Sequence, residues 1–275
     1  MGGATAERAP YGVLVLHGLT SCLASVLPVA ERLAADDIPC SVPWLRGHGT
    51  RPEDLVGVTW HDWYADATAA LDDLLARCDT ASVVGLSMGA LVALHLALER
   101  GAQLRGVVAV APALRVASRL APLVPFVAPF KRWLYPPANG YSEAVRARLA
   151  EGYRRLPTSA FLSMVSYARW LEPRLGGVQV PALVLGTRAD RVVRPDSATR
   201  VYERLGTIDK ELRWFDRSGH EMLVDGEADA VLDAVEEFLL AHRPGPVTTG
   251  PLATSPTASW AEQAARGEPL PPAGP

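Results

Sequence analysis

Ser82-Val83-Val84-Gly85-Leu86-Ser87-Met88-Gly89-Ala90-Leu91-Val92-Ala93-Leu94 joins two apolar runs across a sharp turn. The first run is short, β-branched and closed by Gly85, the pattern of a strand buried on both faces; the second continues to Arg100 at helical length. Between them stands G-x-S-x-G. A strand, a tight turn and a helix are the context in which this spacing carries chemistry, because Ser87 is then lifted out at the end of a strand and the start of a helix. The turn strains the serine backbone and leaves no space for Cβ atoms two residues to either side, which is why Gly85 and Gly89 are needed. At a helix amino terminus, free N–H groups and the dipole favour negative charge as it develops.

Working outward, the chain alternates. Tyr11–Leu16 (YGVLVL) reads as a strand, Leu27–Ala35 as a helix, Ile38–Trp44 as a strand and Trp60–Arg77 as a helix with Asp62, Asp66 and Asp73 at polar positions. Ala81–Gly85, Val107–Ala111, Ala182–Gly186 and Glu211–Phe215 supply further strands, Met88–Arg100 a helix, and Ala228–Ala241 the last helix. Alternation of this kind predicts an α/β fold with a mainly parallel central sheet and helices on both faces. The interval from about 112 to 178 is too long for one crossover and holds several helix-like pieces separated by prolines, so an inserted helical cap is expected there. The expected division is a catalytic domain at 11–243 and a Pro/Gly-rich tail at 244–275, too poor in bulky apolar groups to order itself.

Composition narrows the function. Hydrophobic residues make up 49% of the chain and charged residues 21%, a globular balance. A formal net charge of −3, with no stripe of Lys and Arg, gives no field for a phosphate backbone, so nucleic acid is not an expected partner. Cys22, Cys40 and Cys78 are odd in number and lack metal or redox spacing, so reduced thiols are expected. Residues 1–10 show no apolar signal segment, and the apolar run at Leu120–Phe130 is broken by Pro122, Pro125 and Pro129, so neither secretion nor stable membrane insertion is expected. A cytoplasmic enzyme follows. The sequence carries no signal for an oligomeric state.

A serine hydroxyl is a weak nucleophile at neutral pH and needs a base, with an acid to hold that base in the right tautomer. Asp190, in GTRADRVV, follows the strand ALVLG, and His220, in DRSGHEML, follows the strand ELRWF; both fall where open α/β sheets build their sites. Among the other histidines, His95 lies mid-helix, His61 flanks a helix start and His242 adjoins the tail. His17 and His48, in glycine-bearing loops, are candidates to line the site without being the base. Asp196 rivals Asp190 but follows Pro195 like a residue at a helix start. His17-Gly18-Leu19-Thr20, after the first strand, is placed to give one oxyanion donor, the Leu19 N–H, with the Met88 N–H as the other.

With these residues in place, the chain resembles the small bacterial carboxylesterases and monoacylglycerol lipases of the α/β-hydrolase family. The resemblance runs from Tyr11 to about His242 and rests on HGLT at 17–20, RGHG at 46–49, WHDWYAD at 60–66, GLSMG at 85–89, RADRVVRPDSA at 188–198 and SGHEML at 218–223. It implies Ser87 as nucleophile, Asp190 as orienting acid, His220 as base, Leu19 and Met88 as oxyanion donors, no cofactor or metal, and a cap over an apolar acyl pocket. The expected substrate is a small-molecule carboxylic ester of short to medium chain, monoacylglycerols included, with transient lipid-surface contact. Many relatives carry a second glycine after the turn where this chain has Ala90. Two readings stand beside esterase activity: another triad hydrolase (thioesterase, lactonase, amidase or carbon–carbon hydrolase), and a low-turnover ligand receptor. The cap run LAPLVPFVAPF, with Trp133 and Tyr135, either lines an acyl channel or covers the core.

Overall fold

The computed structural model describes residues 8–135 and 143–245. The expected tail lies outside the described residues except for its first two positions. In chain order the elements are β1 (Ala9–Leu16), α1 (Leu27–Leu33), β2 (Cys40–Ser41), α2 (Trp60–Leu75), β3 (Cys78–Leu86), α3 (Met88–Arg100) and β4 (Leu104–Val110). Then follow α4 (Val124–Val127), β5 (Trp133–Leu134), α5 (Glu143–Arg148), β6 (Leu156–Pro157), α6 (Thr158–Leu171), β7 (Ala182–Thr187), α7 (Asp196–Arg204), β8 (Lys210–Phe215) and α8 (Ala228–His242).

Six strands form one parallel sheet in the order β2-β1-β3-β4-β7-β8. Chain direction across the sheet reverses between β1 and β3, a topological switch point, and ligands of open α/β sheets bind at the carboxyl ends of the strands beside it. The pleat divides the buried side chains between two layers. Leu14 and Leu16 of β1 point with Ala81 and Val83 of β3 toward α2, α3, α6 and α7, whereas Val13 and Val15 point with Val84 and Leu86 toward α1 and α8.

Two expected elements differ. The second strand pairs over Cys40–Ser41 alone, at the sheet edge; Pro39 and Pro43 on either side cannot donate to a ladder, and the chain beyond turns away toward the site. The expected insertion is not uniform. The described residues between 112 and 157 carry short elements, including the antiparallel β5–β6 pair. α6, by contrast, buries Ala160, Met164, Tyr167 and Leu171 in the same core as α3 and the sheet. In the run 120–130, Leu120, Leu123, Phe126, Val127 and Phe130 are exposed, and Val124 is buried. Among the described residues no helix is long and apolar enough to cross a membrane.

Candidate active site

Ser87 follows the last residue of β3 and precedes the first of α3 with φ 58° and ψ −113°, the strained turn expected of it. The glycines are required by contact. A Cβ on Gly85 would strike the Gly89 carbonyl, and one on Gly89 would strike the Leu16 carbonyl and lie 2.7 Å from the His17 oxygen. Ala90 is fully buried in the helix, so its methyl group is accommodated where relatives have glycine. The Ser87 N–H donates to the Val110 carbonyl at 2.9 Å, and its own carbonyl accepts from Ala113 N at 3.2 Å and Ala90 N at 3.1 Å. Strain at Ser87 is thus held in place by β4 and by the chain leaving it.

The three widely separated candidates meet. Ser87 Oγ donates to His220 Nε2 at 2.9 Å, and His220 Nδ1 donates to Asp190 Oδ2 at 2.7 Å. The other Asp190 oxygen accepts from Val192 N at 2.7 Å and Val193 N at 2.9 Å. Burial alone pushes the Asp190 carboxyl up, but His220 and the two N–H groups outweigh it and leave Asp190 below its ordinary value. Burial likewise pulls His220 down, and the attraction and hydrogen bond of Asp190 reverse this and leave it above its ordinary value of 6.5. Asp196 is not part of the line. It pairs with Arg194 at 3.0 Å and Arg200 at 3.6 Å at the start of α7.

Both loops are fixed by partners distant in sequence. The Asp190 loop bridges to the start of the insertion: Val193 pairs with Val116, Ala117 N donates to Val192 O at 2.9 Å, and Arg194 N donates to Arg115 O at 2.8 Å. Glu172 draws Arg115, Arg200 and Arg204 together beneath it. The His220 loop closes on two carboxylates that sequence reading missed. Glu227 accepts from Asp216 N at 2.9 Å and Arg217 N at 2.6 Å, and Asp225 accepts from Gly219 N at 3.0 Å. The signal was present as D-G-E at 225–227, with Gly226 at φ 52°, but nothing local shows that these groups face back toward His220.

Leu19 lies in the loop after β1, and Met88 opens α3, where its N–H has no carbonyl one turn back. Gly18 brings this loop against Ser87, since a Cβ there would sit 3.2 Å from that of Ser87. His17 and His48 are both buried and neutral. Burial, with His48 nearby, lowers His17 to about 3, and burial lowers His48 to about 4. Glu221, beside His220 in sequence, was also missed: it is 7% exposed, and its Oε2 has no hydrogen-bond partner. Burial pushes its carboxyl up, with Asp190 and Asp225 adding to the rise and His220 opposing it. Cys22, Cys40 and Cys78 are free thiols, and no metal-binding cluster occurs among the described residues.

A parallel sheet, a strained serine at a strand-to-helix turn and a serine–histidine–aspartate line together define an α/β hydrolase. The chain belongs to the serine aminopeptidase S33 family of hydrolases, whose profile matches residues 9–227. It is similar to a thermostable monoacylglycerol lipase of Bacillus sp. strain H-257, at 30% identity over 237 residues, covering 86% of this chain and 93% of that one. A carboxylesterase of Bacillus subtilis strain 168 is 27% identical over 229 residues, covering 82% and 91%. A solved structure described with LipS and LipT, two metagenome-derived lipolytic enzymes, aligns with a TM-score of 0.78 at 29% identity, covering 86% of this chain and 96% of that one.

Proposed function

We propose that the protein is a serine carboxylesterase that hydrolyses short- to medium-chain carboxylic esters, monoacylglycerols among them, through an acyl-enzyme on Ser87. The observation that carries this is the unbroken line from Ser87 Oγ through His220 to Asp190. Nδ1 of His220 donates to Asp190, so Nε2 is unprotonated and free to take the serine proton. Ser87 Oγ attacks the ester carbonyl, and the oxyanion forms toward the N–H groups of Leu19 and Met88. Protonated His220, stabilised by Asp190, gives its proton to the leaving alcohol. Water then enters, loses a proton to His220 and releases the acid by the same route. These steps need no metal or cofactor.

The insertion suits contact with a lipid surface. In this reading, residues 112–157 act as the cap and α6 belongs to the catalytic body. Exposed Phe126 and Phe130, 76% and 92% accessible, give the cap an apolar outer edge suited to transient contact with a lipid surface. Three free thiols accord with a reducing, cytoplasmic setting.

The test is hydrolysis of p-nitrophenyl esters from acetate to palmitate by wild type and Ser87→Ala, with a fluorophosphonate label. Turnover that peaks at one chain length and falls about 10⁶-fold in the variant supports the reading. Equal activity in the variant, or an unlabelled Ser87, refutes it. Tight ligand binding without turnover would instead favour a receptor.

A further inference from the structure

The Thr20 backbone, one residue beyond the expected oxyanion donor Leu19, is gripped through its N–H and its carbonyl by residues to which the reaction so far gives no role. Thr20 is a non-glycine residue at φ 64°, a conformation that does not hold itself. Its N–H donates to His48 Nε2 at 3.1 Å, and its carbonyl accepts from Tyr153 N at 2.8 Å. His48 sits in the RGHG segment, and Tyr153 belongs to the insertion.

The His48 ring has one workable tautomer. Nδ1 faces the Leu45 and Arg46 carbonyls at 3.0 and 3.2 Å, which only accept, so Nδ1 carries the proton and Nε2 is left as the acceptor that Thr20 needs. The ring stays neutral, burial having lowered it to about 4; its titratable neighbours are His17, with ring centroids 4.7 Å apart, and Tyr153. The loop beneath is fixed in turn. Leu45 N donates to His17 Nε2 at 3.1 Å, Arg46 N donates to Asp66 at 2.7 Å, and the Arg46 guanidinium spans Asp62 and Asp66 of α2. Tyr153 stacks parallel to the His48 ring at a centroid separation of 6.1 Å. Its hydroxyl donates to Gly47 O at 3.0 Å and accepts from Thr50 N at 3.0 Å. RGHG segment, cap and oxyanion loop are therefore one hydrogen-bonded unit.

We propose that His48 is a positioning residue that aims the Leu19 N–H at the oxyanion, and that Tyr153 ties this aim to the cap, so that the cap's placement sets the strength of the oxyanion hole. The inference rests on the esterase reading. Its loss would act in the transition state, where the oxyanion is fully charged, and little in the ground state.

The experiment compares wild type, His48→Ala, His48→Gln and Tyr153→Phe with p-nitrophenyl butyrate and with a trifluoromethyl ketone. The ketone accepts Ser87 Oγ at its carbonyl and leaves an oxyanion in the hole. Active enzyme is counted by exhaustive fluorophosphonate labelling. In His48→Ala, kcat should fall between about 10- and 10³-fold, the upper figure being the loss of a whole donor. KM should hold, and ketone affinity should weaken in proportion to kcat/KM. Glutamine, whose amide oxygen reaches toward the place of Nε2, should restore most of both. Tyr153→Phe removes the hydroxyl's hydrogen bonds with Gly47 O, Thr50 N and Thr50 Oγ1 and keeps the stack, so the same signature is expected at about three- to tenfold; it carries the test if His48→Ala does not fold. Ketone affinity unchanged while activity falls, or glutamine no better than alanine, overturns the proposal. A wild-type chain inert to both ester and phosphonate overturns the esterase reading itself, and this inference with it.

Discussion

Replacing Asp190 by asparagine changes one heavy atom, and the structure dictates which way the new amide faces. Val192 N and Val193 N both donate to one carboxylate oxygen, so the amide oxygen must take that place and turn its NH₂ toward His220. The NH₂ group donates, which forces Nδ1 of His220 to accept and moves the ring proton to Nε2. Ser87 then faces an N–H where it needs a lone pair. A base locked in the wrong tautomer loses about 10⁴-fold in kcat, equivalent to about 5.5 kcal/mol of barrier. The shape and both backbone bonds survive, so the variant should remain folded. The assay is kcat for p-nitrophenyl butyrate per phosphonate-labelled site, with a melting curve on the same sample. Asp196→Asn is the control: it alters only the exposed pairs with Arg194 and Arg200 and should stay within about twofold of wild type. Asp190→Asn within tenfold of wild type, or an equal loss in Asp196→Asn, would refute the assignment.

Further outcomes follow from the same contacts. Since His220 lies above 6.5 and must be neutral to act, kcat/KM should rise with pH through a midpoint above 6.5, and this limb should move to lower pH in Asp190→Asn. Glu221 has a folded-state pKa above its unfolded value of 4.5, so its contribution is full below that value and lost as pH rises through the folded one; the melting advantage of Glu221→Gln over wild type should therefore grow from pH 4.5 upward. A flat difference across that range would contradict the burial argument. Gly89→Ala should destabilise the fold by about 1–3 kcal/mol in chemical denaturation, because the new methyl group meets the Leu16 and His17 carbonyls. Phe126→Ser with Phe130→Ser should reduce sedimentation with phospholipid vesicles and leave hydrolysis of a soluble ester unchanged.

Most strands, and the three residues that meet in the Ser87–His220–Asp190 line, could be read from the chain because their signals are local. An apolar run bounded by glycine, and a polar residue just past the end of a strand, need no knowledge of distant residues. Element ends were less legible. β1 begins at Ala9 because its N–H finds the Arg77 carbonyl at 2.9 Å, a partner in a different part of the sequence. α7 begins within the RADRVVRPDSA block and runs on as a strongly polar helix with few apolar positions, so periodicity alone marks only its start, at Asp196. His48 was visible as a histidine in a glycine loop, but not as an acceptor for Thr20, because folding alone brings positions 20 and 48 together. Asp225, Glu227 and Glu221 were hidden for the same reason: an acid in a loop looks alike whether it faces water or gathers backbone N–H groups.

The insertion is clamped at its beginning by the Val116–Val193 bridge and near its end by the Tyr153–Thr20 bond, and each clamp lands on a loop of the site. Between these two fastenings, among the described residues, Trp133 and Leu134 pair with Pro157 and Leu156, and Arg132 O accepts from Thr158 N at 2.9 Å, so the stretch is also tied to its own far end. In the esterase reading proposed above, acyl preference would change by substitutions within this bounded stretch while the two site loops stay where they are. The two fastenings also set the limit of such change: a replacement stretch must still meet both loops at the same points, or it will disturb the machinery it was meant to redirect.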